Sequence, residues 1–212
     1  MSAGSCLVVG VTGRSGCGKS TVCDAMRKAG HTVLDGDRVA RRITAPGSPV
    51  LARLAEAFGA DILDESGALR RRLLADRAFA TAEGTRTLTD ITHPAIIHTL
   101  LDGVEQAAAA GRLLCFVDGA AIVGQPFQPY CDRIVVVTAP REDSVARICA
   151  RDGISRQAAC RRLDAQTPEA VLRDAADYII ENSGSLEHLH RQVQRVLDAL
   201  QKESHEQGHT TA

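Results

Sequence analysis

The sequence predicts an α/β fold: a five-stranded parallel sheet with helices on both faces. Three observations predict it. Short apolar runs rich in Val and Ile alternate with stretches of helical spacing along most of the 212 residues. A Gly-rich loop separates the first apolar run from the first helical stretch. Polar residues suited to chemistry follow three of the runs, at the carboxyl ends of strands, where sheets of this kind bind ligands.

The elements follow in order. Cys6 to Val11 is a short Val-rich run that leads straight into glycines, a buried strand entering a loop. Lys19 to Ala29 has helical spacing and stops at Gly30, a C-cap residue. His31 to Leu34 is a second strand, closed by Asp35-Gly36-Asp37. Residues 38–110 carry no convincing strand signal and read as a helical insertion, punctuated by Gly47, Gly59, Gly67 and Pro94. Leu113 to Val117 is a third strand ending at Asp118, and Arg133 to Thr138, with Ile-Val-Val-Val, is the strongest strand signal in the chain. Helices are expected over 141–151 and 155–165, and a last strand over Asp177 to Ile180. Leu186 to Leu200 carries apolar residues at 186, 189, 193, 196, 197 and 200, one helix face. The polar tail from Lys202 is expected to fray.

This organisation reads as a single domain over 1–206. Its core is 5–37, 112–140 and 176–201, its insertion about 38–110 and its lid about 141–165, with 202–212 a flexible tail.

Composition narrows the function. Hydrophobic residues make up 44% and charged residues 24%, so the chain can bury a core and is not intrinsically disordered. Lys and Arg number 25 against 26 Asp and Glu, which leaves no global basic field for nucleic acid or an anionic membrane. Only a local basic site can bind an anion. Seven Cys without C-x-x-C or zinc spacing read as reduced thiols, several of them core residues. No signal peptide and no apolar run of membrane-spanning length is visible, so a cytoplasmic protein is expected, monomeric or weakly homo-oligomeric.

Gly13-Arg14-Ser15-Gly16-Cys17-Gly18-Lys19-Ser20 fits G-x-x-x-x-G-K-[ST] in full. Glycines allow a tight turn whose N–H groups point inward as an anion nest, and the following helix adds free amides and its positive dipole end. In this motif Lys19 reaches the β- and γ-phosphates of a nucleotide, and Ser20 offers its hydroxyl to Mg²⁺. Cys17 in the loop has two readings: a thiol of lowered pKa, open to oxidation that blocks nucleotide, or simply a small side chain.

A phosphate loop announces a nucleoside triphosphate but not a reaction. The Asn-Lys-x-Asp segment of GTPases is missing, since the one Asn, Asn182, precedes Ser. A chain of this size with an insertion after strand two suits a small-molecule kinase. Such an enzyme needs an acceptor for the substrate hydroxyl proton and cations around the moving phosphoryl group. Asp35 and Asp37 supply the first, expected on extended backbone either side of Gly36, and the residues alone do not choose between them. Arg141, Arg147, Arg151, Arg156 and Arg161 supply the second as a phosphate-closing lid, with Arg147 and Arg151 on one helix face.

The ordered set of motifs resembles the dephospho-coenzyme A kinase family from Val8 to about Leu200. The residues that carry the resemblance are Val9 to Thr21 with the phosphate loop, Leu34-Asp35-Gly36-Asp37-Arg38-Val39-Ala40-Arg41, and Pro46-Gly47. Phe58-Gly59, Gly67 to Arg71, His93-Pro94, Gln166, Ala176-Asp177 and Asn182 complete it. The resemblance implies transfer of the ATP γ-phosphate to the ribose 3′-hydroxyl of dephospho-CoA. It implies Asp37 as the base with Asp35 close by, Arg147 as the lid arginine, and Arg41, Arg71 and His93 as acceptor-binding residues. It also implies Asp118 as a second Mg²⁺ residue. Two departures stand out. Arg14 replaces a Gly of the family loop, and Ala120-Ala121-Ile122-Val123-Gly124 replaces Pro-Leu-Leu-x-Glu. Two other readings stay open: another small-molecule P-loop kinase, such as one acting on nucleoside monophosphates, and a nucleotide-binding regulator without turnover.

Overall fold

The computed structural model describes residues 6–119 and 122–209. Its five strands are β1 (Leu7–Thr12), β2 (Thr32–Asp35), β3 (Leu114–Asp118), β4 (Arg133–Thr138) and β5 (Tyr178–Glu181), in the spatial order β2-β3-β1-β4-β5. The sheet is parallel, with Val11 opposite Asp118, Thr12 opposite Val136 and Thr138 opposite Glu181. The carboxyl ends of β1, β3, β4 and β5 therefore line up on one edge.

Four of the strands end one residue later than the apolar runs that predict them, at Thr12, Asp35, Asp118 and Glu181. The ladder is a backbone property and continues one step past the last apolar side chain.

Helix α1 (Lys19–Lys28) buries Val22, Cys23 and Met26 on one face of the sheet. Helix α9 (Leu186–His209) buries Leu189, Val193, Val196, Leu197 and Leu200 in the same core as Val9, Val11, Phe116, Val135 and Val137. Each such aliphatic side chain contributes about 1.5–3 kcal/mol of burial. On the other face Ile134 and Val136 pack against Leu172 of α8 (Glu169–Asp174), a helix too short to show in the apolar spacing. Helices α6 (Arg141–Asp152) and α7 (Arg156–Asp164) share a core of Val145, Ile148, Ala159 and Leu163.

The chain divides into two compact units, Met1–Leu34 with Gly103–Ala212, and Asp35–Asp102. The second is helical, as expected of the insertion: α2 (Gly36–Ile43), α3 (Pro49–Phe58), α4 (Arg71–Ala78) and the first part of α5 (Ala82–Ala109). Its core is Leu54, Ile62, Leu74, Ala78 and Ile91. Pro94, expected to interrupt, lies inside α5, where Ile91 and Leu100 are buried on either side of it.

The tail corrects the sequence reading. The last helix does not stop at Leu200 but runs to His209. Glu203 holds Arg133 Nε at 2.8 Å and accepts from the Tyr178 hydroxyl, and the buried Ser204 donates to the Leu113 carbonyl oxygen. Polar residues here face the sheet, so polarity does not mark the end of order. Residues 210–212 lie outside the described residues, as do the first five.

Candidate active site

The loop after β1 has the backbone of an anion nest. Gly16 and Gly18 take left-handed conformations, with φ of 77° and 91°. A side chain at Gly16 would also run into the Ser144 carbonyl oxygen, and one at Gly18 into the Asn182 amide. Gly18 is the N-cap of α1, which has no side-chain cap and no acidic residue in its first turn. Its orphan N–H groups and positive dipole end thus meet no acidic residue of the helix's own first turn. The amides of Gly16, Gly18 and Ser20 have no protein hydrogen-bond partner among the described residues. The expectation of successive inward amides is corrected at two positions, Ser15 and Cys17: the Ser15 amide donates to Gln166 Oε1 at 2.9 Å. The Cys17 amide closes a turn on the Arg14 carbonyl oxygen at 3.1 Å.

Lys19 Nζ forms an ion pair with Asp118, both side chains largely withdrawn from solvent. Sheet register explains the meeting, since Asp118 stands opposite Val11, two residues before the loop. Arg147, from the second turn of α6, donates through Nη1 to the Gly16 carbonyl oxygen at 3.1 Å. Asn182, just past β5, donates to the Cys17 carbonyl oxygen at 2.9 Å. Lys19, Ser20, Asp118 and Arg147 thus gather at the phosphate loop, with Thr21 in the first turn of α1.

Cys17 is buried, and burial outweighs the neighbouring positive charges, pushing its thiol above the usual range. Of the two readings of Cys17 this supports the small side chain over the thiol of lowered pKa: the helix end faces the thiol, but the apolar surroundings win. Burial and the charge of Asp118 push Cys23 further, to about 12.

In the helical unit, Asp35 closes β2 and caps α2, its Oδ1 accepting from the Arg38 amide at 2.8 Å. The extended backbone expected across Asp35-Gly36-Asp37 is therefore not found. The helix begins at Gly36, and Asp37 sits exposed in its first turn. With one Asp35 oxygen engaged by the cap, the two carboxylates are no longer equivalent. Arg71 donates to the Thr44 hydroxyl at 3.1 Å, and that hydroxyl donates back to the carbonyl oxygens of Ala40 and Arg41. Thr44 thus links the Arg71 side chain to the Arg41 backbone carbonyl. No hydrogen bond joins His93 to either among the described residues; its imidazole is half-buried on α5 and pushed below the usual range by burial.

Gln166 and Asn182 were legible only as matches to a pattern, with no role. Their side chains are the loop's anchors, a role that needs three-dimensional proximity across 151 and 165 residues. Ala120 and Ala121, the first two positions of the stretch that stands in for Pro-Leu-Leu-x-Glu, lie outside the described residues. Ile122 beside them is buried.

A sequence profile described as dephospho-CoA kinase matches residues 7–188. The dephospho-CoA kinase of Corynebacterium glutamicum is 39% identical over 191 residues, covering 90% of this chain and 98% of that protein. The crystal structure of TT1252 from Thermus thermophilus matches with a TM-score of 0.78 at 33% identity, over 92% of this chain and 98% of that one. The dephospho-CoA kinase from Campylobacter jejuni matches with a TM-score of 0.60 at 25% identity, over 91% and 96%. A profile spanning most of the chain and relatives this similar over nearly their whole length settle the family, and the chain belongs to the dephospho-CoA kinases.

Proposed function

We propose that this protein transfers the γ-phosphoryl group of ATP to the 3′-hydroxyl of the ribose of dephospho-CoA. The observation that carries the reading is the phosphate loop with Lys19 paired to Asp118 and Arg147 resting on Gly16, in a chain of this family. The free amides of Gly16, Gly18 and Ser20 receive the β-phosphate. Lys19 moves from Asp118 to the β- and γ-phosphates, exchanging one anion for another. Arg147 spreads the charge that builds on the phosphoryl oxygens during in-line transfer.

Mg²⁺ fits the donors at hand. The Ser20 hydroxyl and the Asp118 carboxylate are hard oxygen ligands, and this ion takes few protein ligands beside phosphate and water. When bound it neutralises phosphate charge. Release of Lys19 is what frees Asp118 for it.

On the acceptor side Asp37 orients the ribose hydroxyl and takes its proton, a role worth about 10²–10⁴-fold in rate for a positioned base. Asp35 secures the helix start that carries Asp37. Arg41, Arg71 and His93 hold the anionic acceptor. Both partners are small molecules, and no described helix is long and apolar enough to cross a membrane. A cytoplasmic monomer or weak homo-oligomer suits this chemistry.

A coupled assay for ADP, run with and without dephospho-CoA, tests the reading. Acceptor-dependent ADP supports it. ADP that appears only with another acceptor, such as a nucleoside monophosphate, or tight ATP binding without turnover, overturns it.

A further inference from the structure

The phosphate loop is fastened on its outer side by two residues that the reaction above does not use as reacting groups. Arg14 Nη2 donates to the carbonyl oxygen of Leu163, in the last turn of α7. Gln166, in the turn that follows, accepts from the Ser15 amide at 2.9 Å and donates to the Ser15 hydroxyl at 3.0 Å. The Arg14 side chain is drawn in so far that its Nε is buried with no hydrogen-bond partner among the described residues. Desolvating part of a guanidinium is costly, so the contact it makes has to be strongly held. A helix C-terminal carbonyl, at the negative end of the dipole, is a good seat for that cation.

The other side of the fastening is rigid. Leu163 is 2% exposed and packs with Val145, Ile148 and Ala159, which joins α7 to α6. Helix α6 in turn delivers Arg147 to the Gly16 carbonyl oxygen. Loop, α7 end, α7, α6 and loop again make a closed circuit of contacts. Within it the Ser15 amide is tied to Gln166, while the Gly16 and Gly18 amides have no protein partner among the described residues.

We infer that Arg14 and Gln166 are positioning residues, a latch that ties the phosphate loop to the turn after α7 and holds it in its anion-receiving shape. The latch therefore sets nucleotide affinity and leaves acceptor affinity alone. It rests on the proposed role of the loop as the ATP site. Without Gln166 the Ser15 amide loses its acceptor, the peptides of the loop are free to turn, and the Gly16 and Gly18 amides no longer point together. Gln166 is the cleaner probe, because it is neutral and its loss does not change the charge facing a triphosphate.

The test compares wild type, Gln166→Met and Gln166→Glu. Gln166→Met keeps the volume and removes both hydrogen bonds. It raises Kd and KM for MgATP about tenfold, the scale of a part-buried donor left unpaired, while KM for dephospho-CoA stays within about twofold. Hydrogen exchange in nucleotide-free protein gives the second readout. Exchange in a peptide spanning the loop rises in Gln166→Met and stays slow in Gln166→Glu, which keeps an acceptor for the Ser15 amide. Wild-type protein that binds MgATP beside a Gln166→Met variant of equal ATP affinity, or one that loses both substrates alike, overturns the latch alone. Wild-type protein that does not bind MgATP overturns the ATP reading and the latch with it.

Discussion

Lys19 and Asp118 form an ion pair that joins the first turn of α1 to the last residue of β3. These two opposite charges at the phosphate loop thus neutralise each other before any nucleotide is bound. Pairing of this kind keeps a largely buried ammonium and a largely buried carboxylate from standing alone, which is costly. It also means that nucleotide binding is an exchange of partners for Lys19.

Asp118→Asn tests the exchange. Removing the carboxylate leaves Lys19 without a counter-ion, so the nucleotide-free protein is expected to lose about 1–2 kcal/mol, less than the full cost of breaking a buried pair because both groups keep some solvent contact. ATP supplies new anions to Lys19 and recovers part of the loss. Thermal melts with and without nucleotide check this: the variant's deficit should be larger in the nucleotide-free protein. An equal deficit in both would mean Lys19 does not change partners.

Asp37→Asn is expected to bind ATP normally and to turn over about 10²-fold more slowly or worse. Asp35→Asn keeps an oxygen for the Arg38 amide and should be stable, whereas Asp35→Ala loses the cap and about 1 kcal/mol. Steady-state kinetics of the three variants separate the roles. If Asp37→Asn turns over near the wild-type rate and Asp35→Asn does not, the base is Asp35.

Truncation after Gln201 is expected to destabilise the protein, against the sequence reading of a frayed tail. It removes Glu203 from Arg133 and Tyr178, and Ser204 from the Leu113 carbonyl. A loss of about 1–2 kcal/mol corresponds to roughly 2–8 °C in Tm for a chain of this size. Calorimetry of the truncated and the untruncated chain decides the matter, and equal Tm values would return the tail to a spectator.

Cys17 is expected to resist alkylation at neutral pH with or without ATP, since burial holds its thiol protonated and out of reach. Mass spectrometry after iodoacetamide treatment reads this directly. Rapid labelling of Cys17 that ATP prevents would instead make it a redox-sensitive residue of the loop.

The sheet and the phosphate loop were legible because both are local. Apolar runs mark buried parallel strands, and glycine spacing marks a turn that only glycine allows. All five strands appear in the sequence to within a residue. What stayed hidden depends on distant partners. Gln166 and Arg14 are an amide and a guanidinium of no distinctive spacing until α7 brings its end to the loop. Glu203 and Ser204 look like a solvated tail until the sheet is present to receive them. The pKa of Cys17 shows the same limit, because the sequence places the thiol at a helix end but does not show how deeply it is buried. The Asp35 cap was missed for a local reason: Asp-Gly-Asp fits a turn or a strand end as well as the start of a helix.

Transfer of a phosphoryl group from ATP, held by the loop of Lys19, to the ribose 3′-hydroxyl of dephospho-CoA leaves a chemical mark on the acceptor. The most direct measurement is phosphorus NMR and mass spectrometry of the acceptor after incubation with MgATP. One new phosphomonoester is expected, on the 3′ position, formed in step with ADP by wild type and nearly abolished in Lys19→Ala. ADP formed while the acceptor stays unmodified, or a phosphate found at any other position, would contradict it.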